Sequence, residues 1–147
     1  VEMFEPFRKR AKEAGLVLGF ENCGQTAKEV IAFLKAIHEP GWGLCWDVWN
    51  DSPLIDFENG DCTDYFAEAL HYANMLHVKA NCVSTLPELD YMKAPWERIL
   101  AGAAALNREI PVVIEAHNPS EGPLGGKNRE VCRRIYDYLI DVWPKKN

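Results

Sequence analysis

Residues 26–47 read TAKEVIAFLKAIHEPGWGLCWD, and this stretch holds one complete repeat of the pattern that decides the fold. Thr26 and Glu29 form a T-x-x-E capping box, in which the hydroxyl accepts from a first-turn amide and the carboxylate reaches back to the cap. Val30, Phe33, Leu34 and Ile37 then fall on one face at helical spacing, which predicts an amphipathic helix. Pro40-Gly41 ends the turn that follows it, and Gly43-Leu44-Cys45-Trp46 reads as a short apolar strand closed by the charged Asp47.

The same unit recurs in both directions. Upstream, Met3 to Ala14 carries Phe4, Phe7, Ala11 and Ala14 at helical spacing, with Gly15 placed for a left-handed cap and a strand, Leu16 to Phe20, ending at Glu21. Downstream, an irregular stretch from Asn50 to Gly60 precedes a helix capped by Asp61 or Thr63 and carrying Tyr65, Phe66, Ala69 and Leu70. A strand over Met75 to Ala80 follows, then a helix with Trp96, Ile99, Leu100 and Ala103, and a fourth strand from Ile110 to Ile114 that ends at Glu115. Gly125-Gly126 leads into a last helix with Val131, Ile135, Tyr138 and Val142 on one side, stopped by Pro144. The order α-βα-βα-βα-βα, with strands apolar throughout, predicts an α/β fold around a parallel sheet with right-handed crossovers. No G-x-G-x-x-G or G-x-x-x-x-G-K-[ST] turn follows any of these strands, which argues against a dinucleotide or P-loop site.

Composition narrows the function classes. The chain has 147 residues, 48% hydrophobic and 26% charged, a globular balance that excludes intrinsic disorder. A net charge of −6 without a Lys/Arg stripe predicts no nucleic-acid partner, because that affinity rests on neutralising phosphates. No apolar run approaches the roughly 18 residues of a membrane span, so no membrane partner is expected. Cys23, Cys45, Cys62, Cys82 and Cys132 contain no C-x-x-C pair, a pattern that fits a reducing, cytoplasmic setting and not a cysteine-ligated structural zinc.

Chemistry-bearing residues sit where the strands stop: Glu21, Asp47, His77 (inside its strand, near the end) and Glu115, each about one βα unit from the next. In a closed (β/α) barrel the carboxyl ends of the strands converge on one face, so residues far apart in sequence can share a cation. Three carboxylates and an imidazole suit one divalent metal ion, with Mn²⁺, Mg²⁺ or Co²⁺ favoured and Zn²⁺ compatible.

Glu21-Asn22 after an apolar strand, Asp47-x-x-Asn50, His77-Val78-Lys79 and Ile114-Glu115 together resemble the second half of the xylose isomerase-like TIM barrels, the sugar phosphate isomerases and epimerases. The resemblance implies a (β/α)8 TIM barrel of which residues 1–147 are the C-terminal portion, strands five to eight preceded by a helix, with the N-terminal half missing. It implies that Glu21, Asp47, His77 and Glu115 hold the metal, and that Glu21 and Glu115 double as the catalytic acid/base pair. It implies a small-molecule sugar or sugar phosphate as substrate, its proton moved through a metal-stabilised enediolate. Asn50 stands where many relatives have histidine, Ala80 where many have aspartate, and the arginine of the epimerases is absent, so isomerase, epimerase and dehydratase remain open. An abasic-site endonuclease-like hydrolase and a non-catalytic sugar-binding barrel are the competing readings.

Around the ligands, Asn22, Asn50, Lys79, Trp49 and His117 are the candidate substrate-binding residues. Lys79 shares the side of its strand with His77 by the two-residue period. Trp49 offers a ring face to a sugar, or packing at the barrel mouth. Gly125-Gly126 lies where barrels of this kind hold phosphate, or serves as loop punctuation. A barrel needs about 250 residues. Four strands on their own leave two open edges, and interior positions such as Val17 and Val113 lose their packing, so the chain alone is expected to be aggregated, molten or a homo-oligomer dimerised into a pseudo-barrel.

Overall fold

The chain returns each strand beside the last across a helix, and these helices cover one face of the sheet. In the computed structural model, which describes residues 2–51, 56, 61–79, 94–115 and 126–145, four parallel strands lie in chain order. They are β1 (Gly19–Glu21), β2 (Gly43–Asp47), β3 (Ala73–Lys79) and β4 (Val112–Glu115). The helices are α1 (Glu5–Glu13), α2 (Ala27–Ile37), α3 (Val48–Asp51), α4 (Thr63–Tyr72), α5 (Trp96–Ala105) and α6 (Asn128–Val142). Among these residues no helix is long and apolar enough to cross a membrane.

The capping box is present as expected: Glu29 N–H donates to Thr26 Oγ1 at 3.3 Å, and Thr26 N–H donates to Glu29 Oε2 at 2.7 Å. Gly15 adopts φ +66° just past α1, where Leu16 N–H closes the helix end onto Ala11 O at 2.9 Å. Several expectations need correction. Strand β3 begins at Ala73, two residues before Met75, and β4 at Val112, two after Ile110. Cys62 stands at the cap of α4 and makes no side-chain cap hydrogen bond, while Asp61 Oδ1 accepts from Thr63 N–H at 3.1 Å. The first helix begins as a 3-10 turn over Glu2–Phe4 before α1. Strand β1 starts at Gly19, not Leu16, because the partner β2 begins only at Gly43 and pairs Gly19, Phe20 and Glu21 in register with Gly43, Leu44 and Cys45. The stretch after Asp47 opens with the short helix α3 where an irregular segment was expected. On α6 the third buried position is Leu139, with Tyr138 only partly buried, because the stripe drifts by one residue over the long helix.

Alternation along the strands assigns the two sheet faces. Leu44, Trp46, Leu76 and Val78 are fully buried in one cluster with Ile31 of α2, Phe66 and Leu70 of α4, Ile99 and Leu100 of α5, and Ile135 of α6. The intervening residues Cys45, Asp47, His77 and Lys79 therefore point to the opposite face. Val113, in register with His77, is exposed on that face, and Val17, ahead of β1, is exposed as well.

At the amino ends of the strands, close approach decides the residue type. A Cβ on Gly43 would lie 2.7 Å from the Tyr72 carbonyl oxygen and 2.9 Å from Asn74 Cβ, so β2 can start beside β3 only as glycine. Asn74 Nδ2 reaches across to donate to Leu18 O at 2.9 Å. Arg108 closes the carbonyl end of α4 by donating to Leu70 O, His71 O and Ala73 O.

Candidate metal centre

The four strands end together. Asp47 pairs with His77 across β2 and β3, and Lys79 pairs with Glu115 across β3 and β4, so parallel registry alone brings residues from distant stretches side by side. Glu21, Asp47, His77 and Glu115 each present one ligand atom, and these atoms all lie within 4.8 Å of one another. Two ligands on opposite sides of one ion at about 2.0–2.2 Å are separated by about 4.0–4.4 Å, so the cluster is within about 1 Å of closing on a cation. The His77 Nδ1 atom is 3.9 Å from Glu21 Oε2 and 3.8 Å from Glu115 Oε2, too far for a hydrogen bond. His77 Nδ1 and Glu115 Oε2 are buried and accept or donate no hydrogen bond among the described residues. Such atoms are costly to leave dry, and oxygen and imidazole donors converging on one point fit a divalent ion.

Asp47 is held most tightly. Its side chain is fully buried, and Oδ1 accepts the backbone N–H groups of Trp49 (3.0 Å) and Asn50 (3.2 Å), which makes it the cap of α3. Oδ2 faces the cluster, 2.7 Å from Lys79 Nζ. Burial pushes the Asp47 carboxyl above the ordinary carboxylate range, against the pull of Lys79. Lys79 is itself buried; that burial works against its charge, and Asp47 and Glu115 outweigh it, so its pKa lies above that of an ordinary lysine. Burial, with Glu21, Asp47 and Glu115 close by, pushes the Cys45 thiol up to about 12, so without a metal this residue stays neutral.

The remaining sequence candidates divide. Asn50 joins the cluster: Nδ2 donates to Glu21 Oε1 at 3.1 Å, and Oδ1 accepts from Lys79 Nζ at 3.2 Å. Trp49 places its ring 5.4 Å below the Lys79 ammonium, an amphipathic contact at the edge of the site. Asn22 is fully buried, and its amide is committed elsewhere: Nδ2 donates to Asp47 O at 2.9 Å, and Oδ1 accepts from Asp47 N–H at 2.8 Å. It ties the end of β1 to the end of β2. His117 and Gly125 lie outside the described residues, as does Cys82.

One participant escaped the sequence reading. Asp51, fully buried at the end of α3, accepts from Ala27 N–H (2.9 Å) and Asn22 Nδ2 (3.1 Å) through Oδ1, and from Trp46 Nε1 (2.7 Å) through Oδ2. It caps α2 and locks Asn22 and Trp46 in one step. Burial raises its pKa, and the donors around it oppose that rise. The only sequence signal was an acidic residue four past Asp47, which a loop would equally supply.

No protein-family profile matches the sequence, and no curated protein matches it. Among solved structures, the crystal structure of a xylose isomerase domain protein from Planctomyces limnophilus superposes with a TM-score of 0.64 at 14% identity. The match covers 96% of this chain and 50% of that one, so the chain spans half the length of its structural neighbour. The sheet and helices thus have the fold of half of a xylose isomerase-like (β/α)8 barrel, as the sequence pattern implied.

Proposed function

We propose that the chain belongs to a divalent-metal-dependent sugar isomerase or epimerase and contributes strands five to eight of its barrel, the other strands coming from sequence beyond these residues. One observation carries this reading: four candidate ligands, one at or near the carboxyl end of each strand, lie within 4.8 Å of one another. Glu21, Asp47, His77 and Glu115 would hold the ion, with Mn²⁺, Mg²⁺ or Co²⁺ suited to the oxygen-rich set and Zn²⁺ compatible. Once bound, the ion supplies Lewis-acid polarisation of a substrate carbonyl.

Exposure separates the roles of the carboxylates. Asp47 is sheltered completely, while the side chains of Glu21 and Glu115 keep 33% and 40% of their surface open. The two glutamates stand on the outer strands of the set, so a sugar seated between them meets a carboxylate on either side. One can then remove a proton from the carbon next to a carbonyl while the other returns it, to the opposite face of that carbon or to its neighbour. Asn50, Lys79 and Trp49 supply a hydrogen-bond donor, a positive charge and a ring face for the same small sugar or sugar phosphate. Asn22 acts one step back by holding Asp47. The free Cys23, Cys45, Cys62 and Cys132 support work in the reducing cytoplasm.

Proton exchange tests this directly. The full-length protein, loaded with Mn²⁺ and given a panel of ketoses and their phosphates in D₂O, should incorporate deuterium next to the carbonyl of its substrate. Glu21→Gln and Glu115→Gln should each slow the exchange by at least about 10²-fold, the usual scale of a general acid or base. Exchange that survives both substitutions would reject the assignment, and metal binding without any exchange would favour the sugar-binding barrel.

A further inference from the structure

The four candidate ligands are not equally available. Asp47 Oδ2, His77 Nδ1 and Glu115 Oε2 all lack a geometrically formed hydrogen bond among the described residues, but Asp47 Oδ2 is drawn into an ion pair at 2.7 Å while its Oδ1 is held by backbone amides. Its Oδ1 is taken by the two amides that begin α3, which leaves Oδ2 as the atom directed at the cluster. That atom is 2.7 Å from the Lys79 ammonium. The same ammonium lies 3.4 Å from Glu115 Oε2 and 3.9 Å from Glu21 Oε1, so one positive charge stands among three of the four candidate ligands.

We infer that Lys79 is a built-in cation that holds Asp47 Oδ2 in the metal-free protein and yields it when a divalent ion binds, thereby setting how tightly the site takes its metal. The inference rests on the metal-centre reading above. Three carboxylates against one ammonium leave two negative charges uncompensated, which keeps a divalent ion attractive while raising the threshold for capturing it. Without Lys79 the three buried or half-buried carboxylates would repel one another at distances where each pair interacts strongly. Lys79 has places to go when it yields: Asn50 Oδ1 accepts from Nζ at 3.2 Å, and the Trp49 ring lies beneath it at 5.4 Å. The lysine therefore serves the empty site as a stand-in charge and the filled site as a competitor.

The two effects have opposite signs, and that opposition is the test. Lys79→Met, with Lys79→Gln as a second neutral variant, should bind Mn²⁺ at least about tenfold more tightly than the full-length wild type by calorimetric titration. The metal-free variant should melt lower by several degrees, and saturating Mn²⁺ should raise its melting temperature by more than it raises that of the wild type. Lys79→Arg, which keeps the charge, should stay within a few-fold of the wild type. Wild-type binding with equal or weaker binding by both neutral variants would overturn the inference and leave the metal centre standing. Failure of wild type and neutral variants alike to bind Mn²⁺ would reject the metal centre, and the inference with it.

Discussion

The two ends of the sheet solve opposite problems. At the amino ends, Gly43 lets β2 press against the Tyr72 carbonyl, and Arg108 fills three carbonyls at the close of α4. At the carboxyl ends, by contrast, three carboxylates, an imidazole and an ammonium are crowded together, and three of their buried atoms lack hydrogen bonds among the described residues. One end spends its polar groups on holding the chain, and the other gathers them about one point. Barrels are organised this way, with stability at the bottom and chemistry at the top.

Substitutions at each end should separate these functions. Gly43→Ala should have the larger effect on stability, about 2–4 kcal/mol in denaturant unfolding, because the added Cβ meets backbone and a strand neighbour that cannot swing away. Its folded fraction should bind Mn²⁺ as the wild type does; weakened binding per folded molecule would show that the two ends are not independent.

Asp51→Asn should have a smaller effect on stability, about 1–3 kcal/mol, since an amide can accept at only one of its two ends and leaves a donor facing a donor. Unlike Gly43→Ala, it should also loosen Mn²⁺ binding several-fold, because Asn22 and the end of β2 lose their anchor. Its pH dependence has a definite sign. The raised pKa of Asp51 means the folded state keeps that proton to higher pH than the unfolded chain, so this group makes stability fall as pH rises through the window above the ordinary carboxylate range. The variant should lose that part of the slope, and an unchanged slope would place the raised proton affinity elsewhere.

The sequence made one end far more legible than the other. Glu21, Asp47 and Glu115 directly end apolar runs and His77 lies two residues before the end of its strand, so all four were visible from pattern, and parallel registry did the rest. The inward direction of Lys79 followed from alternation with His77. That its ammonium would meet Asp47 did not follow, because the contact joins two strands whose offset no local pattern encodes. Helix α3 spans only four residues, too short to show a period, and so Asp51 read as part of a loop. Gly43 read as a strand start, and its close approach to Tyr72 depends on a partner strand that arrives much later in the chain.

The central claim is that the carboxyl ends of these strands form one metal site. Titrating Mn²⁺ into the metal-free full-length protein, beside Asp47→Asn and His77→Ala, tests it most directly. The account predicts a single high-affinity ion per chain, weakened at least about 10²-fold by either substitution, since each removes one of the few protein ligands that hold the ion. A wild type that binds no ion, or binds it with an affinity that neither substitution changes, would contradict it.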